Sequence, residues 1–525
     1  MIMKRLPLLL VASVFLCGQT NTGTITGTVF DPSQAAVPAV RVTASNLATN
    51  VSQSATTNGS GVYSIPALEP GAYRLTIEKE GFRKMVREPI TMESSATVAL
   101  DFRLAVGATS SEVTVTADVP LVQSASSTIQ YGVDLKQIDE LPLANQSALQ
   151  ILSLLPGVQG EPGSEQVAFT TGNISPMVGS GLSISGSPQG TVQFQADGVN
   201  NTSLYFGRIS LSFSTDAVAE VTVAQNSYSA EYRSAGGGIV NMTTKSGGNQ
   251  LHGTIFSFSQ NDDLNAAPWV VYQKKGMVRY WRGGTDFGGP VVIPKLYNGR
   301  NRTFFFFGFE PLRSYTQSNY FERVPTALER NGDFSQSVYN SVSNQPISIF
   351  QHFNPGTNTP IVEPANTPYL QFPKNIIPPS LISPIGKNIL SLEPLPNMPI
   401  NGLGENYSVF RNVRNSDNRF NIRLDQAITG NHRVSFRFSE APTRGVRGYN
   451  PGLLELVPTS KTLGANAAFN DTYTWGGNKV NELRLGFSRT NMQSTQTDQQ
   501  LAIDGFKQFG AKTQAGKRHG VLRSV

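Results

Sequence analysis

The sequence predicts a mostly β fold in three parts: an N-terminal β-sandwich, an α+β middle domain, and the first part of a transmembrane antiparallel β-barrel. Three observations carry that expectation. Glycine and proline supply 49 and 32 of the 525 residues and only 15% are charged, while Thr, Ser, Asn and Gln are interleaved with Phe and Val. Such a mixture favours strands and turns over helical bundles. Past the N-terminus no stretch approaches the ~18 uninterrupted apolar residues of a helical span. Beyond position 250, several segments alternate apolar and polar residues with period two, as a sheet does between lipid and a wet interior.

The chain opens with Lys4-Arg5, an apolar run from Leu6 to Leu16, and Cys17-Gly18. That order of charge, hydrophobicity and small residues predicts a secretory signal peptide over 1–18, too short to span a bilayer. Cys17 is the only cysteine, so the exported chain is expected to hold together by sheet and core without disulfides. The net charge of +6 is spread along the chain with no arginine-rich block, which gives no support to a nucleic-acid partner.

Residues 19–106 read as the sandwich. Strand-like runs at 24–30, 40–45, 62–65, 73–78 and 97–104 are separated by Asp31-Pro32, Asn58-Gly59-Ser60-Gly61 and Glu69-Pro70-Gly71, turns in which Pro presets φ and Gly takes the left-handed position. A linker over 107–118 contains the β-prone hexapeptide Glu112, Val113, Thr114, Val115, Thr116 and Ala117. The middle domain is placed at 119–247. Within it, Leu135, Ile138, Leu141, Leu149, Leu152 and Leu155 have helical spacing, broken at Pro142 and ended by Pro156-Gly157.

The stretch from Asn226 to Phe258 reads as a junction. Tyr228 and Tyr232 precede the triplet Gly236-Gly237-Gly238, where backbones can approach closely or take φ > 0. A short apolar strand with Asn241 follows, then the turn at Thr244-Lys245-Ser246-Gly247. Thr254, Phe256 and Phe258 then fall on one face, expected to be the greasy outer one, with Gly253, Ser257 and Ser259 on the other. The barrel part, 248–525, shows the clearest alternation. Phe420, Ile422 and Leu424 oppose Arg419, Asn421, Arg423 and Asp425. After a turn at Gly430-Asn431, Val434, Phe436 and Phe438 oppose Arg433, Ser435 and Arg437, and further on Leu483, Leu485 and Phe487 oppose Arg484, Gly486 and Ser488. Each pattern predicts apolar residues toward lipid and polar ones inward. The run from Thr303 to Glu310 is apolar on both faces. Residues 340–405, dense in Pro and Asn, predict one long extracellular loop.

These motifs also resemble a known family. Tyr232, Gly236, Gly237, Gly238, Asn241, Lys245 and Gly247, with Leu154-Leu155-Pro156-Gly157-Val158 and Asp197-Gly198-Val199, are similar to the plug-to-barrel crossing and plug motifs of TonB-dependent outer-membrane receptors. Val324-Pro325-Thr326 and Gly332-Asp333-Phe334-Ser335 point to the Oar-like branch. The sandwich resembles the carboxypeptidase regulatory-like domain, a module without a peptidase site, through Gly27, Pro38, Asn58-Gly59, Pro70-Gly71 and Gly81-Phe82. Ser185 and Ala196 depart from the family pattern, which has arginine and leucine there. The resemblance implies that 119–247 is a plug, that 112–117 is either a TonB box pairing edge-on with a TonB-type energising protein or the last sandwich strand, and that the protein lies in the outer membrane against its lipid. It further implies an unknown extracellular solute, imported when the plug moves.

No enzyme, cofactor or metal site is expected. The four histidines are too far apart in sequence for a ligand pair, and the stretch from Gly505 to Thr513 departs from a phosphate loop by the extra Ala511. Two function classes remain: the receptor, or a non-transporting periplasmic or surface binding protein made of sandwich and plug. A plugged transporter barrel needs about 22 strands, and only about eight can be placed after Leu251. The chain is therefore expected to be a portion of a longer receptor.

Overall fold

The computed structural model describes residues 22–107, 112–115, 129–134, 152, 155–160, 182–188, 190–203, 207–226, 228, 236–266, 276–339, 341–344, 346–347, 372–391, 393–447, 459–476 and 479–495. The expected signal peptide and the helical spacing at 135–149 lie outside these residues.

The sandwich begins with β1 (Gly23–Phe30), β2 (Arg41–Asn46), β3 (Ser52–Thr56), β4 (Val62–Leu68), β5 (Gly71–Glu78) and β6 (Lys84–Met92). It continues with β7 (Thr97–Ala99), β8 (Phe102–Arg103) and β9 (Glu112–Val115). One sheet runs β4-β1-β7 with β8 also on β1, and the other runs β3-β2-β5-β6-β9. Alternate residues of both sheets meet in an apolar core of Ile25, Val29, Val42, Ile65, Leu75 and Ile77. The two large polar rings inside it are satisfied: the Tyr63 hydroxyl donates to Leu100 O at 2.8 Å and that of Tyr73 to Glu69 O at 2.8 Å. Strands β3 and β6 escape the sequence reading because SQSAT has no apolar alternation and β6 carries Lys84, Arg87, Glu88 and Pro89.

The plug contributes β10 (Ile129–Asp134), β11 (Val158–Gln159), β12 (Ser183–Ile184), β13 (Gln193–Ala196), β14 (Val199–Asn200), β15 (Thr202–Ser203), β16 (Arg208–Ile209), β17 (Val218–Asn226) and β18 (Ile239–Thr244). Its main sheet has the order β10-β17-β18-β13-β14. Strand β18 lies at its centre, antiparallel to β17 and parallel to β13, and all six of its residues are buried. A strand buried on both faces does not alternate, which is why Ile239-Val240-Asn241-Met242 reads as a short apolar run.

The remaining strands form the wall: β19 (His252–Asn261), β20 (Val278–Pro290), the small hairpin β21 (Val292–Ile293) and β22 (Tyr297–Asn298), then β23 (Thr303–Glu322), β24 (Tyr407–Thr429), β25 (His432–Arg447), β26 (Thr459–Trp475) and β27 (Lys479–Thr495). Seven of them make one antiparallel sheet, β19-β20-β23-β24-β25-β26-β27, whose two ends are β19 and β27. The faces of β24, β25 and β27 follow the alternation in the sequence. Leu485 and Phe487 are 59% and 54% exposed on the outer face, whereas Arg423 and Arg437 are 6% and 2% exposed on the inner one. Phe287, Phe307 and Phe420 form an outer aromatic row with ring centroids 5.0 and 5.4 Å apart. In the doubly apolar run of β23, Phe304 and Phe306 are buried inward, where the plug covers them, so both faces there are apolar for different reasons.

Strand β19 corrects the sequence reading. Thr254, Phe256 and Phe258 share the face of their partners Asp286, Gly284 and Arg282, which is the inner one. Arg282 lies over the Phe256 ring at 5.7 Å, and Thr254 N donates to Asp286 Oδ1 at 3.0 Å. Ile255, 86% exposed, points outward instead. The physical reason is the neighbouring Gly284: a Cβ there would stand 2.6 Å from the Phe256 ring, so its absence makes room for the aromatic on the inner side.

The sandwich sits against the short-turn rim of the wall. Asn249 N donates to Ala48 O at 2.8 Å and Asn50 Nδ2 to Asn301 Oδ1 at 3.2 Å. At the β24–β25 turn, a Cβ on Gly430 would fall 2.6 Å from Ser52 O.

Candidate functional site

The site is the seam where plug, sandwich and wall meet. It begins at a two-residue turn. Asp197 and Gly198 join β13 to β14 with φ of +48° and +74°, the left-handed pair that Asp-Gly adopts in a type I′ hairpin. This turn aims the Asp197 carboxylate at the wall. Arg437 Nε meets its Oδ2 at 2.6 Å and Arg423 Nη1 its Oδ1 at 3.3 Å. Thr244, the last residue of β18, donates from N at 2.9 Å and from Oγ1 at 2.8 Å. Burial would raise this carboxyl, but Arg437, Arg423 and the Thr244 bonds outweigh it and hold Asp197 below the usual aspartate range.

Arg423 is shared by all three parts of the protein. Its Nε donates to both oxygens of Asp425 on the wall at 3.0 Å, and Nη2 lies 3.6 Å from Glu69 of the sandwich, in addition to Asp197 of the plug. Beside it the three parts enclose a cavity of about 450 Å³ lined by Leu47, Glu69, Thr244, Phe304, Asp425 and Arg433. Side-chain exposures of 36% at Glu69 and 4% at Asp197 make the sandwich arm of this clasp wet and its plug arm dry.

A second cluster holds the plug segment before β17. Glu310 on β23, fully buried, receives Arg282 Nη2 at 2.7 Å, Arg419 Nη1 at 3.3 Å and the Ser214 hydroxyl at 2.6 Å. Arg419 Nη1 also donates to Phe213 O at 3.3 Å. Asp216 stands 3.9 Å from Arg282. Burial pushes its carboxyl up to about 6; Arg282 opposes the rise and the charge of Glu310 adds to it. Glycines let the plug backbone reach the wall: a Cβ on Gly486 would lie 2.4 Å from Val199, and one on Gly464 would lie 2.8 Å from Ser210 O.

The plug is also tied to the sandwich. Ser94, fully buried just past β6, is gripped by three plug strands. Its N donates to Glu220 Oε2 at 3.1 Å, its O accepts from Gln130 Nε2 at 2.7 Å, and its hydroxyl accepts from Asn241 Nδ2 at 3.0 Å.

The residues singled out from the sequence take different places. Asn241 is the plug–sandwich tie. Gly237 and Gly238 are buried in the plug against Ser187 and Ile184, with φ of +106° at Gly238, and the exposed Gly236 lies beside Thr191. The triplet thus belongs to the plug, and the wall begins after β18 with β19. Gly247 makes the crossing, where a Cβ would stand 2.3 Å from Phe305 O and 2.7 Å from Gly289 O. Next to it, Lys245 Nζ lies 3.7 Å from Asp286. Tyr232, Thr116 and Ala117 lie outside the described residues. Glu112, Val113, Thr114 and Val115 form β9, paired in parallel with Lys84, Met85, Val86 and Arg87 of β6. The sequence reading did not single out Glu69, Ser94, Asp216 and Glu310. The inward arginines of the wall strands were the available signal, since a row of buried cations requires facing acids.

Two family models match the chain. Residues 243–522 match the family described as outer membrane beta barrel domain, and residues 24–105 match the carboxypeptidase regulatory-like domain. The TonB-dependent transporter Oar of Myxococcus xanthus is 26% identical over 308 residues, 55% of this chain and 27% of its own length. This chain thus spans about a quarter of that relative. Among solved structures, the outer membrane transporter YddB of Escherichia coli aligns over 68% of this chain and 38% of its own, with 10% identity and a TM-score of 0.40. The ferric enterobactin receptor PfeA of Pseudomonas aeruginosa aligns over 69% of this chain and 40% of its own, with 14% identity and a TM-score of 0.34.

Proposed function

This chain belongs to the outer membrane beta barrel domain family, and from that premise we propose that it is the plug-bearing portion of a TonB-dependent importer. It is an outer-membrane protein with lipid on the outer face of its wall. An extracellular solute binds on the loop side, and the plug is displaced by an energising protein that takes hold of residues 112–117. Sandwich, plug and wall occupy 19–106, 119–247 and 248–525, joined by the linker at 107–118. No step makes or breaks a covalent bond, so the chain acts as a gated receptor and not as an enzyme. The observation that carries this reading is the seating of Asp197 between Arg423 and Arg437. A loose surface domain has no use for a buried carboxylate clamped by two wall arginines, whereas a plug that must sit in one place does.

Among the described residues no strand pairs with the outer edges of β19 and β27, and this belongs in the reading too. In lipid each unpaired backbone group costs several kcal/mol, so further strands are needed to close the wall. Expressed by itself, the 525-residue chain is expected to give no heat-modifiable barrel on gel electrophoresis, and co-expression with the missing strands to restore one. A stable heat-modifiable species from this chain alone would overturn the portion reading while leaving the plug intact.

A further inference from the structure

We propose that residues 112–115 act as a tow point without leaving the sandwich: the energising protein adds a strand to the free edge of β9, and its pull reaches the plug through β6 and Ser94. The inference rests on the transporter reading and specifies how the force enters. The two meanings of this segment, TonB box and last sandwich strand, exclude each other only if one strand has one edge. Strand β9 pairs with β6 on one side and is the end of its sheet on the other. Among the described residues nothing pairs with that outer edge, so its N–H and C=O groups are open to a single added strand.

The path inward is short. The four residue pairs between β9 and β6 are parallel, Lys84 with Glu112 through Arg87 with Val115. A pull along β9 therefore loads these hydrogen bonds together in shear instead of unzipping them one by one. Strand β6 ends at Met92, two residues before Ser94. There the load meets the bonds to Glu220 on β17, Asn241 on β18 and Gln130 on β10. The force thus arrives on the central strands of the plug sheet, at the end of which Thr244 holds Asp197. A tow line stripped from the sandwich would deliver the load only to β10, at the edge of that sheet.

A disulfide lock tests this. The full chain carries Lys84→Cys and Glu112→Cys, partners in the β6–β9 register, with Cys17→Ser in every arm, and mass spectrometry verifies the bond. Capture is measured with the purified periplasmic domain of the energising protein. The expected result is that the oxidised lock forms and captures that domain within about threefold of the unlocked chain. Loss of capture on oxidation, restored by reductant, would show that the strand must be stripped out and overturns the tow point alone. Failure of the disulfide to form under oxidant removes the pairing it rests on and overturns it as well. An unlocked chain that captures nothing overturns the transporter reading and this inference together. A lock that pairs two copies of this chain at the β9 edge, seen as dimer by light scattering, assigns the edge to self-association and overturns the proposal.

Discussion

The sandwich and the plug–wall seam are both buried, yet they are held by opposite physics. The sandwich closes on Ile25, Ile65, Leu75 and Ile77, all fully buried, each contributing about 1.5–3 kcal/mol by leaving water. The seam is built from Asp197, Arg423, Arg437, Glu310, Arg282 and Arg419, whose attraction offsets a desolvation penalty of similar size. An apolar contact of the same area would bind the plug at least as firmly, and in any register. The charged seam gives little net adhesion but fixes one position, because removing either partner strands the other in a dry site. The lesson is that the sandwich is held by apolar burial and the plug is fixed in one position by paired charges.

The sharpest way to break that contrast is to remove one partner on each side. Asp197→Ala leaves Arg423 and Arg437 without their shared carboxylate and is expected to cost plug seating about 3–5 kcal/mol. Ile77→Ala should cost about 2–5 kcal/mol through its cavity, but in the sandwich. Hydrogen exchange separates them: the first should deprotect β13, β14 and β18 while sparing β2 and β5, and the second should do the reverse. If Asp197→Ala leaves β18 as protected as before, the seam does not position the plug.

A smaller effect distinguishes the two acids of the seam. The Asp216 carboxyl is raised in the folded protein to about 6, so its contribution is complete below the unfolded value of about 4 and is lost as pH rises through about 6. Asp197 is shifted the other way, so its contribution is present above about 4 and is lost as pH falls through its depressed folded value. Seating should therefore weaken between pH 5 and pH 7.5, the upper part of that window. The ceiling over this range is roughly 1.4 kcal/mol, reduced in practice because Asp216 keeps 21% of its side chain exposed. Asp216→Asn should abolish that decline, as read by exchange in β17. A decline that persists in the variant would assign the titration elsewhere.

What the sequence disclosed follows the same division. The alternations around Arg423, Arg437 and Arg484 were legible because one face meets lipid and the other meets charge, the strongest contrast a strand can carry. Asp197-Gly198 was legible through its likeness to the plug motif, and the turn it makes is seen in the structure. The face of β19 was not, because Phe256 turns inward only on account of Gly284, a residue on the neighbouring strand. Nor was the clasp itself: Asp197 and Arg423 are separated by 226 positions, and nothing local announces that they meet. Ser94 was hidden for the same reason, since its partners come from three plug strands. The stretch read as the junction contains the crossing, but the glycine triplet belongs to the plug and the single Gly247 passes the wall.

The most direct test of the whole account is nitroxide scanning of β27 in the outer membrane, one label at a time from residue 482 to 487. Labels at 483, 485 and 487 should collide with dissolved oxygen and be shielded from a water-soluble nickel reagent, while those at 482 and 484 should be immobilised on the inner face, giving a period of two; Gly486 is left unlabelled because a side chain there meets Val199. Labels at 483, 485 and 487 that are instead packed and inaccessible to both reagents would mean the apolar face is the core of a water-soluble fold, and the membrane wall proposed here would not exist.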